Sequence, residues 1–288
     1  MNLYKTTFII LTFVTPFSIC SDAYASDSLQ THERRSPQRD KTVWQKIGND
    51  IVLTLNDAGN YFTSPLRFSG KDWLYIAGFA GVEGVIMATD KEMKNRLGRN
   101  TTSSINHDFW DIPTDYGNAL YVGALCGAFY ATGLFTSNDW IRVTGRMLLE
   151  GLAFAGTVDI TVKYIAGRQR PYTTDNQWNF LWFQTNNDFQ SFPSGHSPVA
   201  FVVSTVLAER IDNNLVRAGL YGFAGLTALA RVVNNQHWLS DVVAGSLLGF
   251  CTGYFVVHRE DQREHGTKGG TGLSFYPSLS GFHAVYNF

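Results

Sequence analysis

The chain has 288 residues, 44% hydrophobic and 16% charged, with a formal charge of -1. That length supports one sizeable domain with a real core, or two small ones. The near-neutral balance excludes a nucleic-acid partner, which would need a basic excess to neutralise phosphates, and 27 glycines against 8 prolines favour packed helices over a loop-rich fold.

Residues 1–25 read as a secretory signal. Lys5 is a short positive region, Phe8 to Ile19 an apolar one, and Ala23-Tyr24-Ala25 supplies small residues for cleavage before Ser26. An uncleaved anchor helix is the alternative. Residues 26–42, with Arg34, Arg35, Arg39 and Lys41, read as a flexible linker whose charges are solvated. A helical domain is expected over residues 43–262 and a tail over 263–288. After cleavage two cysteines remain, Cys126 and Cys251, each inside an apolar run and expected to pack as free thiols rather than pair.

From Thr42, the residues Trp44, Ile47, Ile51 and Leu55 recur at three- and four-residue spacing. This predicts an amphipathic helix whose apolar stripe packs on the domain. Six apolar segments follow, at about 73–89, 117–136, 145–166, 196–211, 216–233 and 238–258. The polar connection from Asp90 to Tyr116 reads as a solvated loop. The loop from Tyr172 to Phe192 carries Trp178, Trp182 and Phe183 between two segments rich in functional residues, so it is expected over a site. Two short alternating runs in the tail, around Ser280-Gly281, suggest a small hairpin. The expected fold is therefore all-α: a bundle of about six core helices, an extra N-terminal amphipathic helix and a short C-terminal β-like tail.

A membrane span needs about 20 mostly apolar residues, and only Gly117 to Thr136 gives 20 without a charge. Glu83, Glu150, Asp159, Lys163 and Arg231 interrupt other segments. With a signal at the front, six spans would also put the site in the cytoplasm. A helical globule in the periplasm is the expected location, with the inner membrane as the alternative.

Three groups of residues carry chemistry. Pro193-Ser194-Gly195-His196 opens an apolar run, so a hydroxyl, backbone N–H groups and an acid/base would meet at a helix N-terminus, a phosphate-shaped feature. His237 and Asp241 are four apart, so on a helix the carboxylate can accept from one imidazole nitrogen and leave the other free. Lys163 and Arg170 lie seven apart before Pro171, so both cations can point one way from a helix.

K-x6-R-P, then P-S-G-H, then R-x5-H-x3-D resembles the signature of the type 2 phosphatidic acid phosphatase superfamily, which includes class A acid phosphatases, lipid phosphatases and vanadium-dependent haloperoxidases. The resemblance implies a phosphatase that needs no cofactor. His237 would attack phosphorus to give a phosphohistidine and Asp241 would orient it. His196 would protonate the leaving alkoxide and then activate water, while Lys163, Arg170, Ser194, Gly195 and Arg231 would bind the phosphate. One departure is Ala230, where the third motif usually has serine. The expected partner is a phosphorylated small molecule or a lipid, with membrane association possible. The alternatives are a vanadate-dependent haloperoxidase and a non-catalytic envelope protein that kept the fold.

Overall fold

The computed structural model describes residues 42–98, 107–266, 272–278 and 281–287. The expected signal peptide and nearly all of the linker lie outside them. Eight α-helices follow one another: α1 (Val43–Phe62), α2 (Gly70–Leu97), α3 (His107–Tyr116), α4 (Ala119–Phe135), α5 (Asp139–Ala166), α6 (His196–Ile211), α7 (Asn214–Val233) and α8 (Leu239–Gly266). Their starts are encoded locally. Thr42 with Gln45 and Ser69 with Asp72 form reciprocal capping boxes, and Asn118, Asn138 and Asn213 accept from the first free N–H groups of α4, α5 and α7.

The centre is a layer of α5, α6 and α8, with Met147, Phe154, Val202, Val206, Leu248 and Val256 buried between them. α6 and α8 approach closely because glycine recurs every fourth residue on α8. A Cβ at Gly249 would lie 2.5 Å from the Pro198 carbonyl oxygen and 2.6 Å from Pro198 Cα, and Gly245 and Gly253 are equally tight. Gly249→Val should therefore force the two helices apart. Overpacking of this kind costs about 1–3 kcal/mol, read as a lowered thermal midpoint in detergent; an unchanged midpoint would contradict the packing described. Cys126 and Cys251 are free thiols, as expected.

Several expectations need correction. Among the described residues the count of six core helices plus one becomes eight. Asp90 to Leu97 is not loop but the last two turns of α2, and α3 forms in what was read as connection; a run of charges without a breaker before Gly98 does not end a helix. In the C-terminal tail, β1 (Gly272–Ser278) and β2 (Gly281–Asn287) pair antiparallel with each other. Finally, the apolar stripe of α1 faces outward. Asp50 pairs with Arg142 (2.5 Å) and Asp57 with Arg259 (3.0 Å) and Arg263, so the acidic side is buried and Trp44 is 81% exposed.

That outward face belongs to a wider pattern. Leu74 and Val85 on α2, Leu120 and Leu125 on α4 and Leu215 on α7 are also exposed. Among the described residues α7 (mean hydropathy 1.2) and α8 (1.4, over Leu239–Glu264) are long and apolar enough to cross a membrane, and α3 with α4, bent by 56°, make a third such unit. These findings overturn the expected periplasmic globule and favour the membrane. The sequence reading failed because it let charges break the spans. Arg231 lies in the last turn of α7 and Asp241 in the first turn of α8, at the ends that face the site, and such charges are tolerated where they line a polar site.

Candidate functional site

The site forms where the ends of α5 and α7 meet the starts of α6 and α8. α5 carries Asp159 and Lys163 to this end and stops at Ala166, with Gly167 in the left-handed conformation (φ 54°). A Cβ there would lie 1.6 Å from the Leu181 carbonyl oxygen, so the chain can turn this tightly only at glycine. Arg170 therefore lies in the loop after α5 rather than two turns along it, which corrects the expected helical alignment with Lys163. The loop holds it by its guanidinium: Nε donates to the Asn187 carbonyl (2.9 Å), and the two terminal nitrogens donate to Asn187 Oδ1 (3.1 Å) and the Gln236 carbonyl (3.2 Å).

Arg231 ends α7. The Gln236 and His237 N–H groups both fold back onto its carbonyl (3.0 and 3.2 Å), through a turn with Asn235 at φ 53°. His237 thus precedes α8 instead of sharing a helical face with Asp241. Its Nδ1 lies 2.7 Å from the Ser191 carbonyl oxygen and 3.7 Å from Asp241. A carbonyl can only accept, so Nδ1 carries the proton and Nε2 keeps its lone pair, 3.4 Å from Arg170. The expected direct His237–Asp241 hydrogen bond is not formed. Asp241 instead accepts from Ser191 Oγ, from the Trp238 N–H (2.8 Å) and from Arg168 (2.6 Å).

A cavity of about 540 Å³ opens over these groups. Lys163, Arg170, Gly195, His196, Arg231 and His237 line its polar end, and Gly123, Leu149, Leu152, Ala153, Gly156 and Ile160 of α4 and α5 its apolar wall. Two expected residues stand outside the lining. Asp241 is buried beneath it; Ser194 is also buried, its N–H donating to the Asp241 carbonyl (2.9 Å) while its Oγ has no partner. Lys163 Nζ is shared with Asp159 (2.6 Å) and the Pro193 carbonyl, so much of its charge is already balanced. Arg231 Nε is buried without a partner, a donor group free for an anion. Burial, reinforced by Arg231, pushes His196 down to about 3, and burial with Arg170 alongside does the same to His237. Both shifts favour the neutral imidazole at pH 7. Ala230 is fully buried beside Arg231. Trp178, Trp182 and Phe183 are exposed on the loop above, with Phe183 against Tyr164 of α5.

Sequence reasoning missed the residues behind the cavity. Arg168, fully buried, joins Asp241 to Asp90 (2.8 Å) and Ser240 (2.7 Å), and lies over the Trp238 ring at 5.5 Å. Its place two residues before Arg170 was a usable signal. Ser191 and Asp90 gave none of that kind. Among the described residues no group of three or more His, Cys, Asp or Glu side chains is placed to hold a metal ion.

Residues 145–264, which contain every expected site residue, match the PAP2 superfamily. The helices and loops that carry the site therefore resemble that superfamily. The chain is 32% identical to a lipid A 1-phosphatase of Porphyromonas gingivalis, over 41% of this chain and 24% of that protein. It is 31% identical to a lipid A 1-phosphatase of Rhizobium johnstonii, over 41% and 47%. The chain thus spans less than half the length of either relative. Among solved structures, a transmembrane PAP2-type phosphatidylglycerolphosphate phosphatase from Bacillus subtilis superposes with a TM-score of 0.49 at 18% identity, covering 75% of this chain and 96% of that one. LpxE of Aquifex aeolicus superposes with a TM-score of 0.45 at 19% identity, covering 58% and 93%.

Proposed function

We propose that this protein is a metal-independent phosphatase of the inner membrane that hydrolyses a phosphate monoester carried on an apolar tail. The observation that carries the reading is the two-sided cavity, with two histidines and two arginines at one end and an uncharged wall of α4 and α5 at the other. A phosphate seated between Arg170 and Arg231 has its equatorial oxygens facing guanidinium groups, which suit it in charge and in fork geometry. His237 Nε2 attacks phosphorus in line, the P–O bond to the tail breaks, and His196, protonated when the phosphate dianion binds beside it, gives that proton to the leaving alkoxide. His196 then takes a proton from water as that water attacks phosphorus and the P–N bond breaks, releasing phosphate. Gly195, at the α6 N-terminus, adds backbone N–H donors, and Lys163 adds positive charge tempered by Asp159. The names of the two bacterial relatives agree with a lipid substrate.

The test is hydrolysis of a lipid phosphate and of a soluble aryl phosphate by detergent-purified protein in EDTA, with rapid acid-free quenching to trap phosphoenzyme. Turnover in EDTA and a phosphoenzyme that is acid-labile and base-stable are expected. Loss of activity on chelation, restored by a divalent metal, would overturn the reading.

Proton linkage gives a second check. A bound phosphate dianion favours the charged form of a nearby imidazole, so binding must raise the depressed His196 and His237 values. As the pH is lowered from about 8.5, where phosphate is already a dianion, towards the raised values, its binding should take up a growing fraction of a proton. Calorimetry in two buffers of different ionisation enthalpy measures this directly; proton release on binding would contradict it.

A further inference from the structure

α2 contributes no motif residue and lies wholly outside the PAP2 match. Yet Met87, Asp90 and Lys94 recur at three- and four-residue spacing along one line of this helix, and that line touches all three motif segments. Lys94 Nζ donates to the carbonyls of Pro171 (2.6 Å) and Thr174 (2.9 Å), just after the first motif. Met87 packs with Phe192, before the second motif, and with Ala244, after the third. Asp90 is fully buried between them. One of its oxygens accepts from the Ser240 N–H (3.0 Å), and the other from Ser240 Oγ (2.5 Å) and Arg168 (2.8 Å).

From Asp90 an unbroken chain leads to His237. Arg168 donates to one Asp241 oxygen (2.6 Å); the other accepts from Ser191 Oγ; the Ser191 carbonyl accepts from His237 Nδ1 (2.7 Å). We propose that Asp90 is a positioning residue for His237, a carboxylate supplied by α2 that fixes the Arg168–Asp241–Ser191 chain and through it the orientation and tautomer of the imidazole. The proposal rests on the reading of His237 as the nucleophile. The physical ground is charge sharing. Arg168 presents a planar fork to two carboxylates, and with Asp90 in place neither takes the whole guanidinium. Without that second charge, Arg168 is drawn towards Asp241, Ser240 keeps only one of its two acceptor oxygens, and the Asp241–Ser191 contact shifts. A displacement of a fraction of an ångström at Ser191 is passed on to the nitrogen that must lie in line with phosphorus.

The full-length protein in detergent, assayed with a soluble aryl phosphate, tests this. For Asp90→Asn, kcat and the rate of phosphoenzyme formation should both fall by about 10- to 100-fold, the range usual for outer-shell partners. Inhibition by inorganic phosphate, which reports Arg170 and Arg231, should change by less than about threefold. Ser240→Ala, which leaves no charge unpaired, should show a smaller fall of the same kind. The proposal is overturned if kcat of Asp90→Asn is unchanged. It is equally overturned if kcat and phosphate inhibition decline together in both variants, as a merely structural role would give. Should Asp90→Asn fail to fold, Ser240→Ala decides alone, and an unchanged kcat there overturns it. The underlying reading fails separately, if His237→Ala still turns over.

Discussion

His237→Ala is expected to lower turnover by about 10⁴-fold or more, the scale seen when a covalent nucleophile is removed. The geometry makes this residue hard to replace. Its Nδ1 proton is committed to the Ser191 carbonyl, so the Nε2 lone pair faces the cavity beside Arg170. Alanine leaves Arg170 and Arg231 in place, so inorganic phosphate should still bind while the phosphoenzyme disappears altogether. His196→Ala behaves differently on the same reading, because it removes an acid and base rather than the attacking atom. There the loss is about 10²- to 10⁴-fold, and smaller for an aryl phosphate, whose leaving group needs no proton, than for an alkyl phosphate. Steady-state rates on both esters, with rapid-quench labelling, separate the two variants. Labelled phosphoenzyme in His237→Ala would show that another group attacks.

The site was legible in the sequence where its information is local. Pro193 to His196 do sit at the start of a helix, and the α6 bounds coincide with the apolar run that suggested them. Which residues line one cavity was also legible, because Lys163, Arg170, His196, Arg231 and His237 converge. What failed were inferences that assumed a helix through the motif. The i,i+4 relation of His237 to Asp241 needs continuous helix, and α8 begins only at Leu239. Partner choice then passed to Ser191, 46 residues away in sequence, and no periodicity encodes a contact of that range.

Charge within apolar segments misled for a related reason. Glu150 and Asp159 looked like obstacles to a membrane location, yet each is buried and paired along its own helix, Glu150 with Arg146 (2.8 Å) and Asp159 with Lys163 (2.6 Å). A charge that faces its partner inside a bundle places no cost on the outer surface. The amphipathic period of α1 was read correctly, but period alone does not say which face is buried. Asp50 and Asp57 find arginines on α5 and α8, and that turns Trp44, Ile51 and Leu55 outward.

Arg168→Ala should be the most destabilising single change at the site. Arg168 is fully buried, and both its ion pairs, to Asp90 (2.8 Å) and Asp241 (2.6 Å), join groups with no exposed side-chain surface. It also donates twice to the Gln177 carbonyl (3.1 and 2.8 Å) and lies over the Phe180 and Trp238 rings, tying the loop after α5 to the start of α8. Alanine would strand two buried carboxylates without a cation, and breaking a buried pair from one side costs about 3–5 kcal/mol. Asp90→Asn in the same chain removes one of the stranded charges. The double variant should therefore be less destabilised than the sum of the two singles, because the interaction is lost only once. Thermal or denaturant unfolding of the four proteins in detergent closes that cycle. Strict additivity would show that Asp90 and Arg168 do not depend on each other, and that the chain of contacts running from α2 to His237 is broken at its first link.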